Sequence, residues 1–148
     1  MSEKAIDESL QQAARLCAQK GAALTNLRKD VLRLVLEAPG PLTAYQLLDR
    51  LKATRKSAVP PTIYRALDFL TGAGLVHKVE RLNAFIACMD SEHGHHEVQF
   101  LICETCGTVA EIEDAAISAA LARAAAGRGF RPRRAIVELD GLCASCRH

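Results

Sequence analysis

Apolar residues recur at helical spacing four times in the first part of the chain. Ile6, Leu10, Ala13 and Cys17 form the first stripe, and Gly21 stands where that helix should stop. Cys17 then reads as a small core residue rather than a ligand. Thr25 suits the N-cap of a second helix, whose stripe is Val31, Leu32, Leu34 and Val35. The run APGP, Ala38–Pro41, ends it. Thr43 can cap a third helix containing Tyr45, Leu47, Leu48 and Leu51. A basic connection, KATRKSAVPP, follows, and Pro60 or Pro61 fits the first position of a fourth helix. Ile63, Ala66, Leu67 and Leu70 make one face of it, while Thr62, Arg65 and Asp68 point elsewhere and Tyr64 flanks. The period then changes to two. LVHKVERLNAFIAC predicts two short strands around a turn near Leu82–Asn83. Three helices and a hairpin in this order make a winged helix-turn-helix. A helical domain that merely ends in a hairpin is the alternative. The tight helix pair favours the DNA-binding form, as do the aromatic, hydroxyl and arginine side chains near the start of the fourth helix.

Beyond Asp90 the pattern changes again. VQFLIC and TVAEIE read as strands flanking the turn CETCG. DAAISAALARAAAGRGF is an alanine-rich helix, and RRAIVELDGLC is a further strand leading to CASC. The expected fold class is α+β: a winged helix over residues 1–88, a linker over 89–97 and a small β–β–α–β domain over 98–148.

Composition adds compartment and charge. The N-terminus, MSEKAIDESLQQ, is polar and unlike a signal peptide, and no run approaches the length of a membrane span. A cytoplasmic protein is expected. Its six cysteines then favour metal or redox chemistry over disulfides. Residues 1–82 carry 13 Lys+Arg against 8 Asp+Glu, net +5, whereas residues 83–148 carry 6 against 9, net −3. This asymmetry suggests that the first half alone meets a polyanion.

Two C-x-x-C pairs, Cys103/Cys106 and Cys143/Cys146, are separated by the thirty-six residues Gly107–Leu142. Two such turns complete a tetrahedral all-thiolate site, which suits Zn²⁺. With no open position its role is structural. Two separate redox pairs are the alternative, and no thioredoxin pattern supports them. A second set of donors remains: His77 and Cys88 on the hairpin, His93, His95 and His96 in the linker, and Glu111 on a strand of the second domain. His77 and Cys88 lie equidistant from the turn, so they are expected to face each other across the ladder. Drawn from wing, linker and second domain, a site of this kind would couple metal to domain orientation. A histidine on a half-buried strand is more often structural, and spacing alone does not choose. Catalysis is not expected. His95-x-Glu97 before a C-x-x-C echoes zinc deaminases, but Ile102 rather than proline precedes Cys103. No G-x-S-x-G, phosphate loop or H-E-x-x-H occurs.

The segments TAYQLLDRL, PPTIYRALDFL and GLVHKVE, a histidine-bearing linker, C-x-x-CG and GLCASC together resemble the ferric-uptake-regulator family. In detail they resemble its zinc-uptake-regulator branch, from the first helix to Cys146. The resemblance implies a homodimer paired through the second domains. It implies two Zn²⁺ per subunit: a structural one on Cys103, Cys106, Cys143 and Cys146, and a regulatory one on His77, Cys88, His96 and Glu111. Cys88 discriminates, because a thiolate suits zinc while iron and manganese sensors of the family use N/O ligands there. The implied function is repression of zinc-uptake genes from an AT-rich pseudo-palindromic operator. Two departures stand out. Val98 and Phe100 replace histidines that many members carry, and Leu24-Thr25-Asn26-Leu27-Arg28 lacks the usual proline of the helix start.

Arg65 is the expected base contact, through a bidentate pair to guanine. Tyr64 can touch a thymine methyl or a phosphate, and Tyr45 and Thr62 position the DNA backbone. Arg55 and Lys56 are either phosphate contacts or a solvated basic loop. Competing readings are an iron- or peroxide-sensing regulator of the same family and a zinc enzyme or chaperone that does not act through DNA. Neither a membrane nor a small-molecule substrate is expected.

Overall fold

A computed structural model of the chain describes residues 2–88 and 97–148. The chain divides into two compact units, Met1–His95 and His96–His148. The expected linker, 89–97, lies almost wholly outside the described residues.

The first unit follows the hydrophobic stripes. Helix α1 (Glu3–Gln19) buries Ile6, Leu10, Ala13 and Cys17, and Gly21 turns the chain away at φ 73°. Helix α2 (Asn26–Glu37) starts at Thr25, whose hydroxyl accepts from the Arg28 N–H at 3.4 Å, and buries Val31, Leu32 and Val35. Thr43 and Gln46 form a reciprocal cap on α3 (Ala44–Leu51), with hydrogen bonds of 3.1 and 2.9 Å. In α4 (Pro60–Gly72), Pro60 is the first helical residue, and Ile63, Ala66, Leu67 and Leu70 are buried. Val59, which precedes it, has no side-chain acceptor, so only half of a capping box forms: the Thr62 hydroxyl accepts from the Val59 N–H at 3.2 Å. These stripes meet in one core with Leu75, Val76 and Phe85.

The wing consists of β2 (Val76–Val79) and β3 (Ala84–Ala87), to which a two-residue strand, β1 (Leu42–Thr43), adds on the far side of β3. The ladder differs from expectation. His77 stands opposite Ile86, not Cys88. The connection is a 3-10 turn, Glu80–Leu82, closed by Asn83 at φ 49°, a left-handed conformation that asparagine tolerates. It is centred one residue earlier than the sequence suggested. The Cys88 N–H instead donates to the Leu75 carbonyl at 3.0 Å. Cys88 is thus the diagonal neighbour of His77. Because strand side chains alternate with period two, it still lies on the His77 face.

The second unit is a three-stranded sheet in the order β5-β4-β6, with β4 (Gln99–Cys103) antiparallel to β5 (Val109–Ile112) and parallel to β6 (Val137–Gly141). Helix α5 (Ala115–Ala126) makes the crossover and is capped by Asp114. Its core is slight. Among the described residues of this unit only Gln99, Phe100, Ile102 and Cys103 are buried, and no side chain of α5 is. Leu101, Ala110 and Leu139 stand in register across all three strands, and each is exposed. Among the described residues, no helix is long and apolar enough to cross a membrane.

Candidate metal centres and nucleic-acid interface

The four paired cysteines come together at one end of the second sheet. Cys103 is the last residue of β4, and Cys143 follows β6, so the parallel pairing of these strands delivers both turns to the same edge. Each turn is tightened by its own backbone. The Gly107 N–H donates to the Cys103 carbonyl at 3.0 Å, and the N–H groups of Cys146 and Arg147 donate to the Cys143 carbonyl at 3.0 Å. Gly107 takes φ 75°, which lets the chain turn back into β5 directly behind Cys106. All four Sγ atoms lie within 4.8 Å of one another. A tetrahedral Zn²⁺ with Zn–S bonds of about 2.3 Å has sulfur–sulfur edges of about 3.8 Å. The Cys106–Cys143 separation is 3.8 Å. The donor set and its dimensions therefore fit a closed tetrathiolate site.

The electrostatics of the cluster favour thiolate on one side. Backbone N–H groups of Cys106 and Cys143 directed at Cys103 lower its pKa to about 6. The Cys143 N–H lies 3.4 Å from the Cys103 sulfur. Cys106 is also lowered, first by the Thr108 hydroxyl, which lies 3.0 Å from its sulfur. Cys146 is pushed up to about 12, chiefly by its hydrogen bond to Cys143 and then by burial. With sulfurs this close, one thiol keeps its proton until a cation takes its place. The sequence reading missed Thr108. Its only signal was a hydroxyl residue directly after C-x-x-CG.

Of the second donor set, the first unit supplies two. His77 is half-buried on β2 and Cys88 is buried just past β3. An imidazole nitrogen of one lies within 4.8 Å of the sulfur of the other. Both belong to the wing, so a cation held by this pair would bear directly on the element beside α4. Glu111 is in the second unit, half-buried on β5 opposite Phe100. His93, His95 and His96 lie outside the described residues.

The face expected to meet DNA is formed at α3 and α4. Tyr45 is 81% exposed at the start of α3 and Tyr64 53% exposed in the second turn of α4. Arg65 is exposed beside Tyr64, and no acidic partner holds it among the described residues. Thr62 is half-buried, its oxygen committed to the Val59 N–H while its own hydroxyl proton remains available. Arg55, expected as a phosphate contact or a solvated side chain, donates from Nε to Asp30 Oδ2 at 2.9 Å.

The chain is similar to known proteins over most of its length. A Zinc uptake regulation protein of Escherichia coli (strain K12) is 40% identical over 146 residues, spanning 99% of this chain and 85% of the relative. One from Mycobacterium tuberculosis (strain ATCC 25618 / H37Rv) is 32% identical over 130 residues, spanning 86% and 96%. A solved zinc uptake regulator complexed with zinc and DNA superposes with a TM-score of 0.91 at 41% identity, covering 95% of this chain and 93% of that one. The profile of the Ferric uptake regulator family matches residues 19–139. A winged helix joined to a small sheet domain that gathers two C-x-x-C turns, with this match across most of the chain, makes the protein a member of the Ferric uptake regulator family.

Proposed function

We propose that this protein is a zinc-responsive DNA-binding repressor of zinc-uptake genes, acting as a cytoplasmic homodimer and not as an enzyme. The observation that carries this reading is the Cys88 thiol beside His77 on the wing. A soft sulfur donor in the DNA-binding unit selects zinc over iron or manganese, for which harder N/O sets are the norm. The regulatory ligands are His77, Cys88, His96 and Glu111. Cys103, Cys106, Cys143 and Cys146 are the structural ligands, giving two Zn²⁺ per subunit. Residues 1–88 act as the winged-helix domain, 89–97 as the linker and 98–148 as the dimerisation domain. The names of the E. coli and M. tuberculosis relatives support the zinc reading, and the DNA in the solved complex supports the operator. The exposed row Leu101–Ala110–Leu139 and the unburied α5 support a second copy as the partner of the second unit.

A bound zinc ion supplies a strong cationic crosslink among its ligands. The chain's own side chains do the reading. Tyr45 and Thr62 set the DNA backbone, Tyr64 touches a thymine methyl or a phosphate, and Arg65 reads guanine in an AT-rich pseudo-palindrome. Arg65→Ala should weaken binding to an operator selected from a random duplex pool by about 1–3 kcal/mol per half-site contact and relax base preference at one position. Competition between the selected operator and random duplex measures this. Equal losses on both would show that Arg65 contacts phosphate only.

A further inference from the structure

Between Asp49 and Asp68 the chain has no acidic residue and five cations: Arg50, Lys52, Arg55, Lys56 and Arg65. Four are exposed, and among the described residues Arg55 alone of the five is held by a carboxylate from another element. Its Nε donates to Asp30 Oδ2 at 2.9 Å, reaching from the α3–α4 turn back to α2. The backbone of the turn is fixed as well. The Arg55 N–H donates to the Leu51 carbonyl at 2.9 Å, and the Ala58 N–H donates to the Arg55 carbonyl at 3.1 Å. Ala58 is buried in the core beneath the turn. Two residues further on, Pro60 begins α4, the helix expected to read DNA.

The side chains of Arg55 and Asp30 remain 37% and 44% exposed, so the pair adds little to stability. What it provides is orientation. The hydrogen bond uses Nε and leaves Nη1 and Nη2 without an acceptor among the described residues. A guanidinium fixed at Nε presents that remaining edge as a preorganised fork, and a fork of this kind matches two oxygens of a phosphate. A freely rotating arginine would lose more side-chain entropy on making the same contact.

We propose that Arg55 is a DNA-phosphate contact at the entrance to the recognition helix and that Asp30 is its positioning residue. The inference rests on the DNA-binding reading above. It extends that reading to a second-helix carboxylate that touches no DNA. A plain surface ion pair makes the opposite prediction in sign. An aspartate near a polyanion repels it, so if Asp30 does nothing else, removing its charge strengthens binding. If it orients Arg55, removing it weakens binding.

The test is equilibrium binding of zinc-loaded full-length protein to its selected operator duplex, across about 50 to 200 mM salt. Thermal midpoints serve as the folding control. Arg55→Gln should lower the slope of log K against log salt by about 2 per dimer, one phosphate per subunit. Asp30→Asn should weaken binding several-fold in the wild-type background, and in the Arg55→Gln background should leave it unchanged or strengthen it. An unchanged slope for Arg55→Gln, or stronger binding by Asp30→Asn alone, overturns the inference and leaves the DNA-binding reading intact. Wild-type protein that binds no duplex overturns both.

Discussion

Cys143→Ala should unfold the second unit while the first remains folded. The magnitude follows from how little else holds that unit together. Among its described residues four are buried, α5 contributes none of them, and its sheet has one apolar row open on three strands. The β6 end of the chain is tied to β4 by main-chain pairing and by the cysteine cluster. A structural zinc site of this kind contributes on the order of 10 kcal/mol gross at neutral pH, comparable to the whole net stability of an ordinary domain. The variant should lose the helical signal of α5, lose the dimer, and retain less than one tightly held zinc per subunit from this cluster. Circular dichroism, sedimentation and metal analysis of the purified chain check this. A Cys143→Ala dimer with wild-type zinc content and melting would contradict it. The pH dependence has a defined sign. Near neutrality Cys146, at about 12, still carries a proton that the metal must displace, so affinity falls as pH falls. Below about pH 6 Cys103 is protonated too, and the fall steepens.

Cys88→Ser should do the reverse: keep the fold, the dimer and the structural zinc, and lose the response. Serine is nearly isosteric, so the wing hairpin survives, but a neutral hydroxyl is a poor Zn²⁺ ligand. Losing even an outer-shell partner of a metal ligand costs 10- to 100-fold in affinity, so removing this sulfur should cost at least about 100-fold at the regulatory site. Zinc and operator binding are linked, so DNA must raise the affinity of that site by the same factor by which zinc raises the affinity for DNA, typically 5- to 150-fold. In the variant that mutual enhancement should vanish at zinc concentrations that saturate the wild type. Zinc titration with and without operator reads both. A Cys88→Ser protein that still shows the enhancement at wild-type zinc levels would remove Cys88 from the regulatory set.

Much of this was legible from residue spacing because helix formation and capping are local. The stripes of α1 and α4 fall on the residues actually buried, and Thr25 and Thr43 cap as their positions suggest. The C-x-x-C pairs were legible because two thiolates per turn is itself a geometric statement. The failures are non-local or depend on turn chemistry. Leu42–Thr43 is too short to show a period, and only its pairing with β3 makes it a strand. The wing register followed Asn83 and the 3-10 turn before it, so His77 meets Ile86 directly and Cys88 diagonally. The Asp30–Arg55 pair spans twenty-five residues, and no local pattern points to it. The exposure of the alanine-rich α5 and of one face of its sheet has no local signature and shows only in how few described residues of that unit are buried.

One measurement bears on the zinc-responsive repressor as a whole. Dimer treated with a mild chelator, so that only the tetrathiolate zinc remains, is mixed with selected operator duplex. Metal is then added back in steps. Binding should be absent at one zinc per subunit and appear as the second is filled, with Mn²⁺ or Fe²⁺ unable to replace it at comparable concentration. Tight operator binding by the one-zinc dimer, or equal activation by Mn²⁺ or Fe²⁺, would contradict a zinc sensor built on His77 and Cys88.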